Sequence, residues 1–118
     1  MALEFKIKRG DQFPSITIRI KNKKTGGNFD LTGSSGTVTF TLTDKDGAKV
    51  IDKEAGVIES PKTDGRVTYS WKGTDTDVPG RFRGEFELLG IDAANSKKFS
   101  APQSGFIDVF FEQDLDNA

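Results

Sequence analysis

The chain has 118 residues, of which 34% are hydrophobic and 10% aromatic, and its 17 basic and 18 acidic side chains leave a net charge of −1. A chain of this length forms one domain, residues 1–118, that removes roughly two-thirds of its unfolded surface from water without covalent staples. The near-neutral balance supplies no overall field for nucleic acid or anionic lipid, and the absence of Cys excludes a disulfide framework and a thiolate metal site.

The opening MALEFKIKRG lacks the apolar run of a cleaved signal peptide, and no later segment has the length of a membrane span, so a soluble protein without a cleaved leader is expected. Leu3, Phe5 and Ile7 already alternate with Glu4, Lys6 and Lys8 as in a half-buried strand. Ile16, Ile18 and Ile20 repeat the pattern, and so do Val38, Phe40 and Leu42 against a run of threonines. Asp-Gly at the tip of DKDGAK (44–49) marks a hairpin, and 49–60 holds one or two shorter strands.

Alternation returns in Val67, Tyr69 and Trp71, then in Phe82, Phe86 and Leu88 with Gly84 on the same inward face. A glycine there signals a close backbone approach or a bulge. The segments 21–30, 61–65 and 73–80 are polar turns, 90–98 is long enough for one helical turn, and GFIDVFFE closes the chain as a strand with Ile107, Val109 and Phe111 facing inward. About seven to eight antiparallel strands, each with one apolar face, need a second layer to cover them. The expected fold is therefore all-β, an immunoglobulin-like antiparallel β-sandwich, with the ten Phe supplying most of its large apolar volume. Asp77-Val78-Pro79-Gly80-Arg81-Phe82 has the layout of the acidic turn and Gly-x-Tyr step of such sandwiches, with Phe in place of Tyr.

The residues offer little chemistry. There is no His, which removes the commonest general base, the usual nucleophile partner and the commonest metal ligand. Asp44/Asp46 and Asp75/Asp77 are paired acids at i, i+2, and both pairs fall in turns, where Asp bonds its own backbone. DKDG fails the spacing of a calcium loop, and Gly26-Gly27 lacks the residues that complete a phosphate loop. No enzyme activity, catalytic residue, cofactor or metal is expected. Lys21, Lys23 and Lys24 form the one dense basic cluster, a solvated loop or a contact for an acidic partner. Phe106 and Phe110 take the outward register of the last strand, where they either pack under 90–104 or contribute to a protein–protein interface. Arg9-Gly10-Asp11 is the tripeptide that integrins read, but between two strands, with Pro14 just beyond, every residue of it also suits a corner.

Four blocks in this order, KRGDQFPSITIRIK, DLTGSSGTVTFTLTDKDG, GRVTYSWKGTDTDVPGRFRGEFEL and SGFIDVFF, resemble the immunoglobulin-like N-terminal domain of phage baseplate upper proteins and related phage virion proteins over nearly the whole chain. In that family an R-G-D-x-F-P opening, a D-L-T-G block with a D-x-D-G turn, and a Y-x-W…T-D…P-G-x-[YF]-x-x-E-F block recur in sequence. The resemblance implies a non-enzymatic structural component of a tailed bacteriophage, made in the host cytoplasm and residing in the virion, that docks onto other virion proteins, with a homo-oligomer in the particle left open. It makes Arg9, Gly10, Asp11, Phe13 and Pro14 the structural opening, and Trp71, Asp75, Gly80, Phe82 and Phe86 core and corner. Baseplate upper proteins continue into a linker and receptor-binding assembly that these residues do not include, so capsid, neck and tail positions stay open. The alternative is an adhesive or carbohydrate-binding module on the particle surface.

Overall fold

The structure is a computed structural model that describes residues 3–21, 26–27, 31, 37–89, 98–102 and 105–113. Nine strands lie within them: β1 (Leu3–Lys8), β2 (Ile16–Arg19), β3 (Thr37–Asp44), β4 (Lys49–Ala55), β5 (Val57–Ile58), β6 (Arg66–Tyr69), β7 (Gly80–Leu89), β8 (Lys98–Ala101) and β9 (Ile107–Glu112). They form a six-stranded sheet in the order β1-β9-β7-β3-β4, with β8 also on β7, and a three-stranded sheet in the order β2-β6-β5. The helical turn expected at 90–98 lies almost wholly outside the described residues.

Most strands pair as the alternation requires, because one face of each must be covered. One pair departs from the antiparallel expectation. β1 runs parallel to β9, with Leu3 opposite Ile107 and Lys8 opposite Glu112. A parallel pair joins strands distant in sequence, and alternation records which face a residue takes, not which strand lies beside it. β7 also changes partner along its length: Gly80–Gly84 pairs with β9, and Phe86–Leu89 pairs with β8.

The two sheets share one core, closed by rings. Phe40 of β3 stacks on Tyr69 of β6 with centroids 5.0 Å apart, and lies 4.8 Å from Phe86 and 5.9 Å from Trp71. Trp71 in turn meets Phe111 edge-on at 5.4 Å, and Phe111 meets Phe82 at 4.9 Å. Each such pair contributes about 0.5–1.5 kcal/mol beyond burial alone. The phenylalanine core is smaller than the composition suggested. Among the described side chains only Phe40, Phe82, Phe86 and Phe111 are buried, while Phe13 and Phe106 are exposed.

Gly84 faces inward as expected, but what approaches it is a side chain. A Cβ there would stand 2.9 Å from Phe40 Cζ and 3.3 Å from Val109 Cγ2. The glycine leaves room for the central ring, and no bulge is needed at that point. The bulge falls instead on the edge strand β4, whose register against β3 slips on either side of Leu42 and where Lys53 takes φ +52°.

Candidate functional site

Arg9-Gly10-Asp11 joins β1 to β2 and is bonded on several sides. The Arg9 N–H donates to the Glu112 carbonyl at 2.7 Å, the Asp11 N–H to the Lys8 carbonyl at 3.1 Å, and the Gly10 N–H to the Thr76 carbonyl at 3.1 Å. Gly10 adopts φ +82°, the left-handed region that a side chain would strain. The 71–77 segment reciprocates: Thr76 Oγ1 donates to the Asp11 carbonyl at 2.9 Å, and Trp71 Nε1 donates to the Pro14 carbonyl at 3.1 Å. Arg9 Nε donates to the Asp77 carbonyl at 2.9 Å. With its arginine and backbone engaged in this way, the tripeptide acts as a corner. Phe13 does not share that role, since the residue is 83% exposed.

One acid of each pair is absorbed by its turn. Asp44 Oδ1 accepts the N–H groups of Asp46 and Ala48 at 2.9 and 3.0 Å, closing the β3–β4 hairpin. Asp75 Oδ2 accepts the Lys72 N–H at 3.0 Å and the phenol of Tyr69 at 2.6 Å. Burial raises the phenol's pKa far above its usual value, and the hydrogen bond to Asp75 and the charges of Asp75 and Glu54 act in the same direction. Between hairpin and turn lies an open groove of about 470 Å³, walled by Val50, Val78, Pro79 and Phe82 and rimmed by Asp44, Asp46, Asp75 and Arg81. Two of its three rim acids already accept bonds from the chain, so the groove reads more as a recess between turns than as a pair of poised carboxyls.

The outward face of the large sheet carries Phe110, within β9, and Phe106, which lies one residue before that strand begins and not in it as the sequence suggested. Phe106 is 48% exposed and Phe110 is half-buried. Neither forms a plain apolar patch. The Arg81 guanidinium lies 5.1 Å from the Phe110 ring, and that of Arg83 lies 5.6 Å from the Phe106 ring, contacts of about 0.5–1 kcal/mol each at exposed sites. Pairing extends the rows: Lys6 and Arg81 flank Phe110, and Glu4 and Arg83 flank Asp108. Aromatic rings framed by both signs of charge suit a polar macromolecular contact. Lys21 follows β2 on the smaller sheet, in the other layer from this face, and Lys23 and Lys24 lie outside the described residues.

Three participants escaped the sequence reading. Alternation with Phe82 puts Arg81 and Arg83 on the outward face, but their position over the rings depends on β7 lying beside β9. Thr76, 2% exposed, is the polar residue that locks the corner; a Thr between two aspartates gives no sign of that. The exposure of Phe13 is likewise invisible in a segment where an aromatic residue and a proline suggest a packed turn. No protein-family model matches the chain, and no curated protein is significantly similar to it.

Proposed function

We propose that the chain is an immunoglobulin-like, non-enzymatic structural module of a tailed-bacteriophage particle, working by docking onto other virion proteins. The observation that carries the reading is the mutual bonding of the motif blocks on which the family resemblance rests. The R-G-D opening and the T-D block, 65 positions apart at Thr76 and Asp11, satisfy one another's polar groups, and the Y-x-W step supplies the rings and the indole N–H that close the same corner. Residues that a family holds together for a shared corner behave as this set does.

The immunoglobulin-like part of the reading is supported by strand order. With β8 set aside as an addition to the β7–β9 connection, the sheets β2-β6-β5 and β9-β7-β3-β4 follow the B-E-D and G-F-C-C′ arrangement of such sandwiches. Phe82 then begins the sixth strand of the pattern, buried against Phe111. The contact surface of the reading is the outward β7–β9 face with Phe106 and Phe110.

The test is the protein content of purified phage particles from a lysate of cells carrying this sequence. The chain is expected there in a fixed copy number, placed on head, neck or tail by image reconstruction; its absence from infectious particles sinks the reading. Phe110→Ser addresses the surface separately. It is expected to lower incorporation while the isolated domain melts within a few degrees of the parent, and unchanged incorporation excludes this face.

A further inference from the structure

The large sheet ends in two edges that differ in how they meet solvent. At β4 the register slips, Lys53 bends the strand into the left-handed region, and Lys49, Asp52, Lys53 and Glu54 all stand exposed. Such bulged, charged edges resist a further strand. β1 is regular instead, holding an unbroken six-residue register with β9.

Its open side can be read from one bond. The Arg9 N–H points to β9, where it meets the Glu112 carbonyl. Backbone groups alternate along an extended strand, so those of Leu3, Phe5 and Ile7 also point to β9, and those of Glu4 and Lys6 point away from it. No strand among the described residues lies on that side. Beneath it Leu3, Phe5, Ile16, Ile18 and Ile107 line a cleft between β1 and β2, with Leu3 42% exposed and Phe5 and Ile18 only partly buried.

We propose that this edge pairs with a second copy of the chain, β1 antiparallel to β1 about a two-fold axis at Phe5. The sequence LEFKIK is self-complementary in that register alone. Glu4 faces Lys6 of the second copy and Lys6 faces its Glu4; these are the residues whose N–H and C=O groups point away from β9, with no partner strand among the described residues. On the inner side Leu3 faces Ile7 of the second copy and the two Phe5 rings meet over the cleft. A shift of the axis by one residue in either direction sets Glu4 against Glu4 or Lys6 against Lys6. The contact is isologous and closed, so it yields a dimer and not a filament, and it joins two outward faces with their Phe110 side chains into one continuous surface. The pairing stands independently of the virion assignment.

Sedimentation equilibrium of the full chain tests it. The expected result is a concentration-dependent species of twice the 12.9 kDa chain mass. Lys6→Glu opposes carboxylates at both symmetry-related pairs and is expected to weaken the dimer about tenfold, with the melting temperature of the monomer unchanged because the side chain is exposed. The charge-swapped double variant Glu4→Lys/Lys6→Glu restores the pairing to within about threefold of the parent. A chain that stays monomeric at millimolar concentration overturns the proposal. So does a dimer indifferent to Lys6→Glu, or one that the double variant fails to rescue.

Discussion

Two turns in this protein are built around an aspartate that accepts two hydrogen bonds, and they are embedded differently. Asp44 gathers two backbone N–H groups from its own hairpin, all of them at the surface. Asp75 gathers one backbone N–H from its own turn and the phenol of Tyr69, a core side chain 1% exposed. The first carboxylate shapes a loop locally. The second ties a loop to the inner aromatic cluster, and through Thr76 and Trp71 to the corner at 9–14. Equal numbers of hydrogen bonds therefore do not carry equal stability; what matters is whether a bond's loss strands a buried group.

Asp75→Ala gives the sharpest break in that contrast. It leaves the buried phenol and the Lys72 N–H without their acceptor, and urea unfolding is expected to show a loss of about 2–3 kcal/mol. Tyr69→Phe removes the donor and keeps the ring stacked on Phe40, so its cost is smaller, about 1–2 kcal/mol. Asp44→Ala in the hairpin costs about 0.5–1 kcal/mol, and Asp44→Asn, which still accepts from the turn N–H groups, costs less. If Asp44→Ala proves as damaging as Asp75→Ala, burial is not what separates the two turns.

The same contrast has a pH signature. The Tyr69 phenol is held protonated in the folded chain above the value of 10.0 that it takes when free. Above about pH 10 the unfolded chain loses this proton first, so the folded state binds more protons and stability falls as pH rises. Below that window the phenol is protonated in both states and adds no slope. Denaturation midpoints measured on either side of pH 10 are expected to fall more steeply in the parent than in Tyr69→Phe; identical slopes refute the link.

Much of the fold could be read from the residues because alternation with period two states which face of a strand is buried. Val38, Phe40, Leu42, Val67, Phe86, Leu88, Ile107, Val109 and Phe111 all take the inward face that the pattern assigns them. The DKDG hairpin and the 61–65 turn also form where their glycines permit, with Gly47 at φ +89° and Gly65 at φ +67°. Alternation does not say which strands adjoin, so the parallel β1–β9 pair and the division of β7 between two partners were not legible. The candidate surface shows the same division. Phe106 and Phe110 could be placed outward from the alternation alone, whereas the guanidinium groups above them depend on neighbours decided by the whole sheet. Phe13 fails for a different reason, since nothing in a turn sequence distinguishes a ring that packs from one that is displayed.

The first strand lies beside the last, with Leu3 matched to Ile107. During synthesis roughly a hundred residues must follow β1 before its neighbour exists, a delay of about 5–20 s at ordinary ribosomal speed. For that interval LEFKIK leaves the ribosome with neither side occupied, and other nascent chains on the same message present the same six residues. Self-pairing through Glu4 and Lys6 uses the side away from β9, so two copies that meet on one polysome still leave open the side that β9 takes later.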